Sequence, residues 1–434
     1  MSKLFSLHNK EYIIQQGFFY SLLFVAISIF SPKIIVFNIA TIALFIFWVL
    51  DGKFKLKTKR ILNDPVAILF ILLFIVYVIG FFYTENTEEG FKSIETKAPL
   101  LLFPIVIGSY NLNKDYIYKV LLYFAIACTL FSAIALLYQI NVVREKQDFN
   151  YFFNDGLVAI MDKKAVYYAI YVSFSILIFL NLILYKFSSI SRISKILSII
   201  AVVFLLLILF LLAARTSQVV LLSILVTTLV GLGVKSGKII HAAVLITTLV
   251  GFIVVLSVLF PQTISRFKNL RNLSYDFSNK EDIYHFSGAD NDAQWNGINL
   301  RLAKWVCAVD VIRENPVRGV GSGDVKDAMV ASYKKRGFLY AAENKFDPHN
   351  QFLDTTVGVG LIGLIILLLC YFVPLLLAIK WRSWLLTTFL LLIIFSSFTE
   401  SILSRAQGIT FYCFFIFLLL QYSLPGKYPK RITN

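Results

Sequence analysis

Long apolar runs separated by short polar or charged turns fill most of the chain, and many approach the roughly twenty residues that a helix needs to cross a bilayer. This pattern predicts spans at about 17–31, 34–50, 65–83, 98–110, 119–140, 165–185, 196–214, 216–234, 239–260, 355–379, 384–399 and 408–424. That is about twelve crossings, of which those near 17 and 98 are short. The first run is followed by "SIFSPK" with no small-residue cleavage site, so it reads as a retained span. The pattern lapses over 261–354, which is polar throughout. The expected architecture is therefore an all-α polytopic membrane bundle in three parts: nine spans within 1–260, one large loop over 261–354, and three spans with a tail over 355–434.

One charge interrupts the apolar pattern. The stretch from Ile196 to Val234 would extend about 57 Å as a single helix, nearly twice the hydrocarbon thickness, so it must fold back. Arg215 in "LLAARTSQVV" divides it. A guanidinium at mid-bilayer costs at least ~2.5 kcal/mol, which puts Arg215 at the interfacial turn. There it is either a snorkelling anchor or an anion site, because the arginine fork matches phosphate oxygens.

Composition agrees with the pattern: 58% of residues are hydrophobic, 15% are charged and the mean hydropathy is +0.77. The net charge of +16 would suit nucleic acid, but its distribution argues otherwise. Nineteen lysines and arginines fall in the short segments on the amino-terminal side, nine in those on the opposite side and thirteen in the large loop. That bias orients the bundle with both termini in the cytoplasm and the loop outside. The acidic segment "TENTEEGFKSIETK" then lies outside as well, and no nucleic-acid partner is expected. Cys128, Cys370 and Cys413 sit in apolar runs and Cys307 is alone in the loop, a pattern that suggests neither a disulfide nor a cysteine metal site. The spans hold few acidic residues and the halves show no repeat, which weighs against a small-solute transporter.

Most of the polar chemistry lies in the loop. Leu302, Trp305, Val306, Val309 and Ile312 recur at helical spacing in "NGINLRLAKWVCAVDVIRENP", predicting an amphipathic helix that Asn315 and Pro316 end. Arg301 and Trp305, four apart, share a face of it, as a stacked surface pair or as part of a substrate site. The three glycines of "PVRGVGSGDV" permit close backbone approach but do not make a nucleotide loop, since no Gly-Lys-Ser/Thr follows. Asp290 and Asp292 form an Asp-x-Asp pair of the kind that holds a divalent ion. Two carboxylates in a polar loop are more often solvated, so no metal is assigned. His349, one of four histidines, precedes the tenth span with Asp347 and Asp354 nearby to orient an imidazole, or it is a structural interfacial histidine.

"NLRLAKWVCAVDVIRENPVRGVGSGDV", "DPHNQFLDTTVGVGLIGLI" and "TESILSRAQGITFYCFFIFLLL", in that order, resemble the O-antigen ligase and polymerase superfamily of bacterial envelope glycosyltransferases. The resemblance implies a twelve-span bundle of the GT-C type in the bacterial inner membrane, acting at its periplasmic face. It implies a donor glycan on undecaprenyl diphosphate and, as acceptor, a lipid A-core sugar (ligase) or another lipid-linked repeat (polymerase). The family's arginine after the seventh span matches Arg215, the one before the loop tryptophan matches Arg301, and its His-Asn pair matches His349 and Asn350. Glu400, Arg405 and Gly408 match the signature before the last span. Where many relatives carry a histidine ahead of the tyrosine-rich span, this chain has Lys163 and Lys164 in "MDKKAVYY".

Joined, the two readings predict a metal-independent, cofactor-free inverting glycosyltransferase. Arg215 and Arg301 hold the diphosphate and stabilise its leaving charge, and His349 takes or orients the acceptor proton. Trp305, Asn350, Glu400 and Arg405 complete the expected substrate contacts.

Overall fold

The computed structural model describes residues 2–185, 191–259, 277 and 297–425, and among these there is helix and no strand. The helices are α1 (Ser2–Ser28), α2 (Ile34–Leu50), α3 (Phe54–Leu62), α4 (Pro65–Phe81), α5 (Thr87–Lys97), α6 (Pro99–Phe103), α7 (Lys114–Lys146), α8 (Ala165–Tyr185), α9 (Arg192–Leu211), α10 (Arg215–Ser236) and α11 (Ile239–Leu259). The loop region contributes α12 (Asn299–Glu314), α13 (Val325–Lys335) and α14 (Leu339–Glu343). The chain then runs through α15 (Gln351–Lys380), α16 (Trp384–Ser397) and α17 (Ala406–Ser423). This is a polytopic helical membrane protein.

Among the described residues seven helices, α7 to α11, α15 and α17, are long and apolar enough to cross a membrane, and α2 with α3 forms a pair bent by 111°. Two shorter apolar helices are α4 and α16. The expected crossing at 98–110 is not one helix: α5 and α6 lead into a π-helical turn, Pro104–Gly108, with Pro99 and Pro104 each removing a donor where one segment hands over to the next. Its far end meets α3, where the Arg60 guanidinium donates to the Ser109 carbonyl (3.0 Å), and its near end lies by the loop region, where the Asn86 amide donates to Asp324 (2.8 Å). Here the chain passes from the loop side to the α3 side over Thr87–Gly108, longer than its apolar pattern alone suggests.

Helix starts follow their capping residues. Asp64 accepts from the Val66 and Ala67 amides with Pro65 in the first turn of α4, and Asn113 caps α7. The predicted fold-back lies between α9 and α10, with Ala213 in the left-handed region (φ 50°) and Arg215 as the first residue of α10. The carbonyls left open at the end of α9 are covered by the Gln218 side chain, which donates to Leu209 (2.9 Å) and Phe210 (3.3 Å). α17 is buried on all sides from Gly408 to Leu420 and forms the axis of the bundle with α8, whereas among the described side chains of α11 only Ala242 and Leu256 are buried, so it faces outward.

α12, α13 and α14 enclose a second apolar cluster, Leu300, Ala303, Cys307, Ala308, Val311, Met329, Tyr333 and Phe338, joined to the bundle through Val357 of α15. The amphipathic helix is present but turned from the expected face: Ala303, Cys307 and Ala308 are covered while Val309 is exposed. Small side chains let α12 approach α13 closely, and the larger stripe through Leu302, Trp305 and Val306 stays half-buried.

α15 is broken at Val359 and Gly360, where φ/ψ leave the helical range. The glycine-rich stretch answers the break. Val320 N–H donates to the Val357 carbonyl and Gly321 N–H to that of Gly358 (both 2.9 Å), and Leu361 N–H donates to the Pro316 carbonyl (2.9 Å). Such irregular backbone is tolerated next to a membrane because protein satisfies it. A Cβ at Gly360 (φ 69°) would stand 2.0 Å from the Val317 carbonyl oxygen. Gly360→Ala should therefore lower thermal stability in detergent by several kcal/mol, since both conformation and space exclude a side chain. Gly251→Ala, with nothing within 4 Å of the new atom, should not lower it; equal melting of the two variants would contradict the packing described.

Candidate active site

His349 ends the segment Phe346–Pro348 and sits in the left-handed backbone region (φ 48°), an unusual conformation for a residue other than glycine. Three contacts hold it there. Its amide donates to Asp347 Oδ1 (2.9 Å), the Trp305 indole N–H donates to the Pro348 carbonyl (3.1 Å), and Asn350 caps α15 by accepting from the Phe352 (3.0 Å) and Leu353 (3.1 Å) amides. Asn350 Oδ1 is thus committed to the helix start, and Trp305 to the Pro348 carbonyl just before the histidine.

The imidazole lies between two carboxylates. Nδ1 is 3.1 Å from Glu400 Oε2, a hydrogen bond, while Nε2 is 3.6 Å from Asp347 Oδ1, too long for one. A proton on Nδ1 directed at Glu400 leaves Nε2 with a lone pair, the tautomer a general base needs. Of the two carboxylates expected nearby, Asp347 is there, but Asp354 turns into the protein and accepts from the Ser404 hydroxyl. Arg405 Nη2 reaches Asp347 Oδ2 at 3.5 Å from an exposed position.

Arg301 is fixed by backbone alone in the contacts seen: Nε donates to the Thr399 carbonyl (3.1 Å) and Nη1 to that of Gly297 (2.9 Å). Burial pushes its pKa down, with Glu400 and Asp347 pulling the other way. Thr399 also shares a hydroxyl contact with Thr216 at the start of α10 (2.8 Å). A Cβ added at Gly297 would lie 2.9 Å from Arg215 Nη2 and 3.7 Å from Arg301 Nη1, so the two guanidinium groups approach each other around a residue with no side chain. Arg215, Arg301, Trp305, His349, Glu400 and Arg405, far apart in the chain, form one constellation built on the Thr399–Glu400 dipeptide. Its floor is α8: buried Tyr167 reaches the Ser401 carbonyl (3.5 Å), and Tyr171 donates to that of Gln407 (2.7 Å). A Cβ at Gly408 would strike the Ile402 carbonyl oxygen at 2.2 Å, which fixes the turn into α17.

Residues 199–368 match the family model described as O-antigen ligase. The chain carries an O-antigen ligase domain. The matched stretch includes Arg215, Arg301, Trp305, His349 and Asn350, and Glu400 and Arg405 lie beyond it. No curated protein matches the chain. The match over residues 199–368 and the helical membrane fold together support an integral membrane protein of the O-antigen ligase or polymerase type in general.

Other residues fall elsewhere or were not foreseen. Asp290 and Asp292 lie outside the described residues. Lys164 pairs with Asp155 (3.1 Å) on the surface of the bundle. Lys163 is half-buried in a loop whose Asp162 carbonyl accepts from Gln407 (3.3 Å). Gly297, Thr399 and Lys304 belong to the constellation but carried no sequence signal except one: Lys304 stands on the small-residue face of α12, where a lysine is out of place.

Asp347 is the most strongly surrounded carboxylate of the site. Burial pushes its pKa up, but the charges of His349 and Lys304, the His349 amide and Arg405 outweigh it and hold the carboxyl below the ordinary range. A depressed folded pKa stabilises the protein above the unfolded value, about 3.9, and that contribution is lost as pH falls through the folded value. Asp347→Asn should accordingly melt below wild type at pH 7, with the difference holding down to about pH 4 and shrinking as pH falls further. A difference independent of pH would show that Asp347 does not act through its charge.

Proposed function

We propose that this protein transfers a glycan from undecaprenyl diphosphate to an acceptor sugar hydroxyl at the periplasmic face of the bacterial inner membrane, with both termini in the cytoplasm. Arg215 and Arg301 hold the donor diphosphate. His349 Nε2 takes the acceptor proton as the hydroxyl oxygen attacks the anomeric carbon from the side opposite the leaving group. The bond from that carbon to the diphosphate oxygen breaks, undecaprenyl diphosphate departs with the bonding electrons, and configuration inverts. Glu400 fixes the imidazole tautomer and stabilises the imidazolium as it forms. The observation that carries the reading is the His349–Glu400 hydrogen bond (3.1 Å) next to a guanidinium, Arg301, fixed by two backbone carbonyls. Such groups are set before the substrate arrives, and preorganised positive charge lowers the barrier to the third negative charge that develops on the departing diphosphate. The diphosphate activates its own bond, so the step needs neither nucleotide nor metal.

The acceptor is proposed to be a lipid A-core sugar, which makes the enzyme a ligase. A second lipid-linked repeat in the same position would make it a polymerase of O-antigen or exopolysaccharide repeats. A deletion strain separates the two: bare core with accumulated long lipid-linked polymer marks a ligase, and core carrying a single repeat marks a polymerase. A small-solute transporter, the reading from another class, requires solute flux in vesicles. The break in α15 does not favour it, since its peptide groups are taken up by residues 316–321.

In a purified transfer assay His349→Ala should slow glycan transfer by about 10²- to 10⁴-fold while donor still binds. Glu400→Gln should retain the fold and lose a smaller part of the rate. Wild-type transfer by His349→Ala, or activity abolished by chelation and restored by a divalent metal, would overturn the mechanism.

Orientation is checked with single cysteines at Ser236 and Lys335, both exposed, in a background lacking the four native cysteines, which are buried. An impermeant thiol reagent on intact spheroplasts should label only the Lys335→Cys protein. Labelling of Ser236→Cys alone would place the site on the cytoplasmic face.

A further inference from the structure

Glu400, the partner of His349 Nδ1, leads into the short turn Ile402–Ser404 that runs on to Arg405 and α17. The turn's own backbone bonds are internal: Ile402 N–H donates to the Glu400 carbonyl and Ser404 N–H to that of Ser401 (both 3.0 Å). They shape the turn without fixing where it stands against the bundle. Ile402 and Leu403 are buried, but apolar contact has no direction and does not by itself aim a carboxylate at a ring.

The directional bonds come from three buried polar side chains on two other helices. Gln351 of α15 accepts from the Leu403 N–H (2.5 Å), and its amide donates to the Thr355 hydroxyl (2.9 Å), which also meets the Tyr77 hydroxyl of α4 (3.1 Å). Lys97, the last residue of α5, donates to the Leu403 carbonyl and reaches the Ser404 hydroxyl at 3.4 Å, with the Tyr77 ring centroid 4.9 Å from its Nζ. Asp354 of α15 accepts from that same Ser404 hydroxyl. Both backbone groups of Leu403 and the side chain of Ser404 are therefore held, and Ser404 bridges an ammonium and a carboxylate. Lys97 is 3% exposed, Gln351 0% and Asp354 8%.

Two opposite charges buried in this way are a poor route to stability, because an apolar pair of the same volume often does as well or better. What a fully bonded polar network supplies is one arrangement in place of several. Gln351 and Asp354 lie in the first turn of α15, whose cap Asn350 directly follows His349. One helix turn thus references both members of the pair: His349 along the chain, and Glu400 across the turn that Gln351, Asp354 and Lys97 hold. We propose that Lys97, Gln351 and Asp354 are positioning residues that set Glu400 against the His349 ring. This rests on the reading of His349 as the base, and it gives Asp354, turned away from the imidazole, a part in the site through Glu400.

The test is a rate cycle on the full chain in nanodiscs, with undecaprenyl diphosphate-linked glycan as donor and lipid A-core as acceptor. Lys97→Met alone leaves Asp354 buried without its cation, whereas Lys97→Met with Asp354→Asn removes both charges and should recover most of the melting temperature that the single variant loses. The paired variant should still turn over roughly tenfold more slowly than wild type, the scale of a lost hydrogen bond to a charged group, with donor KM unchanged. In a Glu400→Gln background the same two substitutions should slow transfer no further, because no carboxylate is left to position. Should the paired variant not insert, Ser404→Ala and Ser404→Thr put the same question: only the first loses the bridging hydroxyl, and only the first should slow transfer. Recovered melting with wild-type kcat, an equal fold loss in both backgrounds, or equal rates for the two Ser404 variants overturns the inference and leaves the His349 reading standing. Wild-type transfer by both His349→Ala and Glu400→Gln overturns that reading and the inference with it.

Discussion

A peptide group beside a membrane must find its hydrogen bond within the protein, and the break in α15 makes that demand at the position that decides the architecture. Val357, Gly358 and Leu361 are satisfied by Val320, Gly321 and Pro316, so the break is also the joint by which the loop region is fastened to the bundle. Gly319 and Gly360 are required there because the backbones meet too closely for side chains, and Gly321 (φ 116°) because a Cβ would stand 2.5 Å from the Thr84 hydroxyl. With that joint fixed, α12 lies against α15 and presents Arg301 and Trp305 to the segment carrying His349. A second tie then closes the site: Thr399–Glu400 touches the start of α10, the Arg301 guanidinium and the His349 ring within two residues.

Most crossings are legible because a span is one long uninterrupted signal. The bounds of α2 and α8 coincide with the apolar pattern, and the turn at Arg215 follows from helix length and charge alone. Thr87–Gly108 is less legible, since a crossing assembled from a polar helix, an apolar turn and a π-helical turn has no single period. The buried face of α12 was hidden for another reason. Hydrophobicity ranks Leu302, Trp305 and Val306 above Ala303, Cys307 and Ala308, yet small residues are what close helix packing selects.

At the site, residue types were readable but their pairings were not. His349 stands out as a histidine at the edge of a span, and sequence alone offers the nearby carboxylates as its partners. Asp354 is close in sequence and points elsewhere; Glu400 is distant in sequence and meets Nδ1. Asn350 next to a histidine suggests a substrate contact, whereas its oxygen caps a helix. Adjacency along the chain says little about adjacency across a bundle, because α15, α16 and the turn before α17 intervene. Arg301 illustrates the converse, since its backbone carbonyl partners belong to Gly297 and Thr399, residues whose side chains announce nothing.

The central claim is that a lipid diphosphate sits between Arg215 and Arg301 with its sugar turned to His349. It is tested most directly by an electron cryo-microscopy structure of the wild-type protein in nanodiscs with undecaprenyl diphosphate-linked glycan bound and no acceptor present, so that the donor is retained. The account predicts diphosphate oxygens at charge-assisted hydrogen-bond distance, about 2.7–2.9 Å, from both guanidinium groups, with His349 Nε2 facing the anomeric carbon from the side opposite the leaving oxygen. Diphosphate density at the basic helix α3 on the opposite face, or a sugar that leaves His349 uncontacted, would contradict it.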